Sequence, residues 1–339
     1  MNIRYFGQEA WEEEYMRSKL PPGVELSFAQ GPIGEHPDIA DDRADVLSIF
    51  VNSRVGKAEL DRFPNLKLIA TRSTGFDHID MGEAKRRGIT VSSVPSYGVN
   101  TVAEFAFALI LALSRRVCEA DRQVEAGSFS QAGFTGFDLA GKTLGIVGCG
   151  NIGVHAVKIA NGFGMKSIVY DVRRRDELAR EQGFAYVDLP ELLGKADIIT
   201  LHVPYNPHTH HLINKENISQ IKKGAYLINT ARGAVVETAA LMEALRSGIL
   251  AGAGLDVLED ESDTANEAGL LEEEKPSEEK LKIVLTNEYL INHPRVIVTP
   301  HIAFDTTEAI ERILDTTADN IRAFKEGAPI NVVAAAQAA

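Results

Sequence analysis

Short apolar runs alternate with helix-like runs along most of the chain. In the first part of the chain they predict strands near residues 3–7, 24–29, 46–50, 66–71 and 89–94. The intervening runs predict helices near residues 8–19, 57–63 and 80–87. Strands that alternate with helices are typical of a parallel sheet that is covered on both faces.

A long apolar helix is predicted after Pro95, over residues 100–126. Its most apolar part, residues 102–113, favours a contact with another domain or subunit over a position facing solvent. We therefore expect the protein to form a homodimer.

A second alternation of strands and helices begins at Lys142. It predicts strands near residues 144–147, 167–170, 185–187, 198–203, 225–230, 252–257 and 296–299. A last helix-like run, residues 306–325, lies beyond these strands and can return to the first sheet. The pattern predicts an α/β fold of two doubly wound parallel-sheet domains. One is flavodoxin-like and discontinuous in sequence (residues 1–99 and 301–339), and the other comprises residues 100–300.

The most informative motif lies within residues 144–171. An apolar strand leads into Gly148, Gly150 and Gly153 in GxGxxG spacing, and a helix-like run, a second strand and Asp171 follow. Gly148 permits the tight turn, Gly150 lets the backbone approach a pyrophosphate, and Gly153 lets the helix pack close to the sheet. The helix N-terminus directs its amides at the phosphates. This order of elements predicts a Rossmann unit that binds a dinucleotide.

Asp171 also bears on which dinucleotide is bound. A carboxylate at this position accepts hydrogen bonds from the ribose hydroxyls and repels a 2′-phosphate, which favours NAD over NADP. Residues 173–175 are all arginine and leave NADP open as the alternative, since a basic cluster can bind a 2′-phosphate.

Composition excludes several classes of partner. The 339 residues are 45% hydrophobic and 24% charged, which is ordinary for a globular protein, and the net charge of −13 argues against nucleic-acid binding. No apolar run approaches the roughly 18–20 residues that span a bilayer, and the first residues lack the pattern of a signal peptide. With only Cys118 and Cys149, we expect no disulfide framework and a cytoplasmic location.

Three ionisable residues follow late strands of the second domain. Arg232 lies in NTARGAVV, Glu261 in GLDVLEDE and His301 in VTPHIAF. Ligands of doubly wound sheets bind beyond the carboxyl ends of the strands, so we expect all three side chains at the edge where the nicotinamide would lie. Each alone has a simpler explanation as a surface or strand-end residue. Together, with complementary charges, they indicate a catalytic set.

At this point the chain resembles the D-isomer-specific 2-hydroxyacid dehydrogenases, and among them the D-lactate dehydrogenase branch. The resemblance covers nearly the whole length and rests on the glycine turn with Asp171 and on six further segments. These are ATRSTGFDHID, VPSYGVNTVAEFA, LHVPYNPHTHHLINKE, NTARGAVV, GLDVLEDE and TPHIAF. The catalytic arginine, glutamate and histidine of the family match Arg232, Glu261 and His301.

The resemblance implies an NAD-dependent oxidoreductase (EC 1.1.1 class) that interconverts 2-keto acids and D-2-hydroxy acids, such as pyruvate and D-lactate or bulkier analogues. His301 would protonate the developing alkoxide, and Glu261 would orient the imidazole and favour its protonated form. Arg232 would bind the substrate carboxylate and polarise the carbonyl, which suits a planar guanidinium.

Further site residues follow from the resemblance alone. The backbone amides of Thr74 and Gly75 would hold the substrate carboxylate, and Tyr97 and Phe304 would line the pocket for the substrate side chain. The residues expected to contact the cofactor are Gly148, Gly150, Asn151, Ile152, Gly153, Asp171, Val203, Pro204, Thr230, Ala231 and Asp256.

Two other functions stay open. One is a reductase of the glycerate, glyoxylate or phosphoglycerate type, and the other is an NAD(H)-sensing binding protein like the related co-repressors. His208, His210 and His211 suggest a metal site, but no cysteine or acid cluster at ligand spacing accompanies them, so we expect no metal. Residues 259–279 hold ten acids and one lysine, and we expect an acidic surface excursion there.

Overall fold

A computed structural model of the protein describes residues 1–261, 264 and 277–333. The chain divides into two compact units. The first is Met1–Tyr97 together with the residues from Thr306 onwards, and the second is Gly98–Asp305. The sequence placed the second boundary at residue 300, so His301 and Phe304 belong to the second unit and not, as expected, to the first.

The first unit is built on one parallel sheet. Its strands are β1 (Asn2–Gly7), β2 (Glu25–Gln30), β3 (Val46–Ile49), β4 (Leu68–Thr71) and β5 (Thr90–Ser92). Their order in the sheet is β2-β1-β3-β4-β5, which is the flavodoxin-like arrangement. The helices α1 (Trp11–Lys19), α2 (Lys57–Asp61) and α3 (Met81–Arg86) connect the strands, and the last described helix, Thr307–Lys325, packs its buried face on the same sheet.

A buried polar cluster lies directly behind the loop that follows β4. Arg72 is 2% exposed and donates to the Phe6 carbonyl at 2.6 Å, while its Nε lies 3.8 Å from the carboxylate of Glu12. The guanidinium also lies over the ring of Tyr5, whose hydroxyl donates to Glu12 at 2.6 Å. Because buried charges are tolerated only when they are paired and hydrogen-bonded, this cluster fixes where the loop starts.

The second unit is built on a larger parallel sheet. Its described strands are β6 (Thr143–Val147), β7 (Lys166–Tyr170), β8 (Ala185–Tyr186), β9 (Ile198–Leu201), β10 (Ala225–Asn229), β11 (Leu250–Leu255) and β12 (Val296–Val298), in the order β12-β11-β10-β9-β6-β7-β8. Its described helices are α4 (Val99–Arg115), α5 (Val117–Glu125), α6 (Asn151–Gly162), α7 (Asp176–Gln182), α8 (Leu189–Lys195), α9 (Thr238–Arg246) and α10 (Glu278–Ile291). The two parallel sheets confirm the predicted fold class.

The long helix predicted for residues 100–126 is two helices, so that prediction was wrong in one respect. The break is at Arg116, whose φ of 54° is left-handed, and its side chain is paired with Glu119 at 2.5 Å. The apolar face of α4 is buried in the core of its own unit, through residues such as Phe107 and Ile110. The apolar composition of α4 therefore needs no partner subunit to explain it.

Most of the acidic segment at residues 259–279 lies outside the described residues. The helices that the structure describes include none with the length and apolar character to cross a membrane.

Candidate active site

The predicted dinucleotide-binding residues lie at the switch point of the larger sheet. Strand β6 has β7 on one side and β9 on the other, so the chain changes direction across the sheet at this strand. Gly148 follows β6, and Val203 and Pro204 follow β9. Ligands of doubly wound sheets bind at such a point, beyond the carboxyl ends of the strands.

The three glycines of the turn meet three different constraints. Gly148 has a φ of 92°, and a Cβ there would lie 2.7 Å from the carbonyl oxygen of His202. A Cβ on Gly153 would lie 2.2 Å from the carbonyl oxygen of Gly148, so the helix touches the turn. A Cβ on Gly150 would meet nothing within 4 Å, which leaves open space at the position expected for the pyrophosphate.

Several polar groups at this edge fit a bound NAD. Among the described residues, the main-chain amides of Gly150, Asn151 and Ile152 donate to no protein group, as is usual at a helix N-terminus. The buried hydroxyl of Thr230, at the end of β10 beside Ala231, also lacks a hydrogen-bond partner within the described residues. These donors suit the phosphates and hydroxyls of a dinucleotide.

Asp171 is held directly against the glycine turn. Its carboxylate accepts from the amide of Cys149 at 2.6 Å and from the amide of Arg173 at 2.7 Å. Arg174 pairs with Asp188 at 2.8 Å, and Arg175 donates to the carbonyl of Cys149. Two of the three arginines therefore have protein partners, and the acid occupies the position beside the turn.

The structure brings Glu261 and His301 together. Oε1 of Glu261 lies 2.7 Å from Nδ1 of His301, although the two residues are 40 positions apart in the chain. An ionised carboxylate only accepts hydrogen bonds, so Nδ1 carries the proton in this contact. This contact does not use the second ring nitrogen, Nε2.

A buried carboxylate holds the turn that carries His301. Asp256, which is 1% exposed, accepts from the hydroxyl of Thr299 at 2.6 Å and from the amides of Ile302 and Ala303 at 2.9 and 2.8 Å. Its main-chain carbonyl accepts from the amide of His301, whose φ is 57°. The resemblance implies a cofactor contact for Asp256, but both of its carboxylate oxygens are used by the protein.

Burial raises the pKa of the Asp256 carboxyl, and the hydrogen bonds from Thr299, Ala303 and Ile302 oppose that shift. The histidine turn is therefore held by an acid whose ionised form depends on these same contacts.

Arg232 lies in the turn after β10, next to the strand that leads to Glu261. Its guanidinium donates to the Ala231 carbonyl at 2.8 Å. The main-chain carbonyl of Arg232 accepts from the side-chain amide of Asn229 at 2.9 Å. A Cβ on the next residue, Gly233, would lie 2.0 Å from the carbonyl of Leu258. The Arg232 turn and the segment that leads to Glu261 are thus in direct backbone contact.

The expected substrate residues are divided between the units. In the first unit, Thr74 donates its hydroxyl to the Val94 carbonyl at 2.8 Å, and Ser73 donates to the Gly75 carbonyl at 2.6 Å. No hydrogen bond within the described residues uses the main-chain amides of Thr74 and Gly75, which suits them to an anion. Tyr97 is half-buried in the first unit, and Phe304 is 8% exposed in the second.

Sequence reasoning missed the partner of His211. Nε2 of His211 lies 2.7 Å from the carboxylate of Glu259, and the neighbouring ring of His210 stacks on it at 3.9 Å. No group of three possible metal ligands occurs among the residues that the structure describes. The acid that pairs with His211 is 48 positions away, so the local spacing of the histidines gives no signal of it.

Comparison with known proteins identifies what the chain resembles. A family model described as D-isomer specific 2-hydroxyacid dehydrogenase, NAD binding domain, matches residues 107–303. A glyoxylate reductase of Thermococcus litoralis is 42% identical over 297 residues, which cover 85% of this chain and 83% of that protein. An aromatic 2-oxoacid reductase of Clostridium sporogenes is 38% identical over 284 residues, covering 83% of each.

Among solved structures, a D-lactate dehydrogenase of Aquifex aeolicus complexed with NAD and lactic acid is similar. It has a TM-score of 0.83 and 38% identity, and the match covers 96% of both chains. The NAD-binding model and this NAD complex confirm the predicted cofactor.

Replacement of Asp171 tests its role in cofactor choice. We expect Asp171→Ala to weaken NADH binding about tenfold or more relative to NADPH, because a charge-assisted hydrogen bond is worth roughly 1.5–3 kcal/mol. Fluorescence titration with both cofactors measures the ratio of dissociation constants. Asp176→Ala, an exposed acid at the start of α7, is the control. An unchanged ratio in Asp171→Ala would remove Asp171 from cofactor recognition.

Proposed function

Because the chain belongs to the D-isomer-specific 2-hydroxyacid dehydrogenases, we propose that it reduces a 2-keto acid to the D-2-hydroxy acid with NADH and catalyses the reverse reaction. The observation that carries this proposal is the Glu261–His301 contact of 2.7 Å beyond the carboxyl ends of β11 and β12. A paired carboxylate and imidazole at this edge of the sheet supply an acid and base for carbonyl reduction.

His301 gives up its proton from Nε2 as the keto oxygen becomes an alkoxide. Glu261 accepts from Nδ1, so the imidazole is oriented before the reaction. When bound, NADH supplies the hydride. In the oxidation direction the neutral imidazole takes the hydroxyl proton.

Arg232 binds the substrate carboxylate and polarises the carbonyl. A guanidinium presents a planar pair of donors that matches a carboxylate, and the backbone contact at Gly233 fixes the turn on which it lies. In the first unit, the amides of Thr74 and Gly75 donate to no described protein group, which supports their proposed role as donors to an anion.

Among substrates, we propose a small 2-keto acid, with glyoxylate and pyruvate as the first candidates. The 42% identity to a glyoxylate reductase supports glyoxylate, and the similarity to a D-lactate dehydrogenase supports pyruvate. The relative named aromatic 2-oxoacid reductase supports a test of bulkier acids as well.

A panel of keto acids tests the proposed function. We expect NADH oxidation, followed by absorbance, with glyoxylate, hydroxypyruvate, pyruvate, a branched keto acid or phenylpyruvate, and slower turnover with NADPH. The ranking of kcat/KM values assigns the substrate class. If none of these acids is reduced while NADH still binds, the protein acts as an NAD(H)-sensing binding protein and the proposal is wrong.

The role of Arg232 can be separated from that of the other arginines. Arg232→Ala should lower kcat/KM at least about a hundredfold, because it removes two hydrogen bonds to a charged group at roughly 1.5–3 kcal/mol each. Arg173→Ala, an exposed arginine beside the cofactor turn, is the matched control. Comparable losses in steady-state kinetics for the two variants would contradict the assigned roles.

We also propose a cytoplasmic homodimer. Support comes from α5, which the structure describes throughout and which has no buried residue. Three apolar side chains in this helix or just beyond it are exposed, namely Val117, Val124 and Phe129, and Phe129 is 83% exposed. Cys118 and Cys149 are unpaired, which suits a reducing compartment.

Light scattering at micromolar concentration should give twice the chain mass, and Phe129→Asp should shift the measured mass towards that of the monomer. A wild-type monomer would refute the assembly.

A further inference from the structure

We infer that Glu259 is a positioning residue for the reaction, because its carboxylate joins the loops that follow β9, β10 and β11. This inference rests on the proposed function, since two of these loops carry Arg232 and Glu261. Glu259 itself is assigned no contact with the substrate or the cofactor.

The carboxylate of Glu259 is shared between two donors. Oε1 accepts from Nε2 of His211 at 2.7 Å, and Oε2 accepts from the hydroxyl of Thr238 at 2.7 Å and from its amide at 3.3 Å. The Glu259 side chain is only 10% exposed. Because an ionised carboxylate can only accept, each of these groups must donate to it.

The two donors belong to different loops. His211 lies in the loop after β9, where its amide donates to the Ala234 carbonyl at 2.8 Å and its own carbonyl accepts from Asn214 at 2.9 Å. Thr238 is 5% exposed and begins α9, at the end of the turn that carries Arg232. A carboxylate at a helix N-terminus is also favoured by the helix dipole.

The main chain at Glu259 is held as firmly as the side chain. The carbonyl of Glu259 accepts from the side-chain amide of Asn287, a fully buried residue of α10, at 2.7 Å. On the other side, a Cβ on Gly233 would lie 2.3 Å from the Glu259 amide nitrogen. The segment is therefore fixed against both α10 and the Arg232 turn.

The position of the Glu261 side chain depends on these contacts of Glu259, because the side chain is not fixed by burial. Its side chain is 45% exposed, and besides the contact with His301 it accepts from the main-chain amide of Leu258 at 3.4 Å. Reacting groups that move by about 1 Å can lose on the order of a hundredfold in rate. The Glu259 contacts thus keep Glu261 within reach of His301.

Four variants test the inference. His211→Ala and Glu259→Ala each remove the contact, whereas His211→Gln can restore a donor at the position of Nε2. His208→Ala changes an exposed histidine of the same loop and is the control. Steady-state kinetics with the keto acid that the wild type reduces best are combined with NADH fluorescence titration and thermal melting.

We expect His211→Ala and Glu259→Ala to lose about tenfold or more in kcat/KM, and His211→Gln to retain at least about a third of the wild-type value. The dissociation constant of NADH should stay within about twofold, because the cofactor turn after β6 is untouched. His208→Ala should match the wild type.

Three results would overturn the inference. These are wild-type kinetics in His211→Ala, no recovery in His211→Gln relative to His211→Ala, or a loss of NADH binding or folding in proportion to the loss of turnover. A wild-type protein that reduces no keto acid would instead refute the proposed function, which the same kinetic series reports separately.

Discussion

The position of His301 depends on the buried carboxylate of Asp256. This side chain lies at the end of β11 and collects three hydrogen bonds from Thr299, Ile302 and Ala303, while its carbonyl binds the amide of His301. A non-glycine residue with a φ of 57° is uncommon and persists only where its surroundings determine it. The strained turn directs the imidazole of His301 to Glu261, so the contact between these two side chains depends on the turn that Asp256 holds.

The carboxylates at this edge of the sheet are therefore of two kinds, which differ in how far they are buried. Asp256 is buried, Glu259 is 10% exposed, and each accepts three hydrogen bonds from groups that follow neighbouring strands. Glu261 is 45% exposed, and its partner His301 is 22% exposed. Buried acids are costly unless they accept hydrogen bonds, and here the donors belong to the segments that follow these strands. The hydrogen bonds that offset the cost of burying these carboxylates also fix the positions of the donor segments.

This placement concerns groups that every 2-keto acid shares, the carboxylate and the carbonyl. It does not by itself select a substrate side chain, which explains how relatives at 38–42% identity can bear names that refer to glyoxylate and to aromatic 2-oxoacids. Differences of one methylene in an apolar pocket are worth only about 1–3 kcal/mol.

The sequence by itself determined the fold class and the cofactor, and it predicted Arg232, Glu261 and His301 as the reacting residues. Local signals sufficed for this, since the glycine turn with Asp171 is compact and the segments with Arg232, Glu261 and His301 follow apolar strands. It misjudged α4 and α5, because one apolar run does not reveal the left-handed break at Arg116. Only the tertiary structure decided that Glu259 meets His211 and Thr238, which are 48 and 21 positions away. Such contacts form where the ends of parallel strands converge in space, and no linear pattern of residues records that distance.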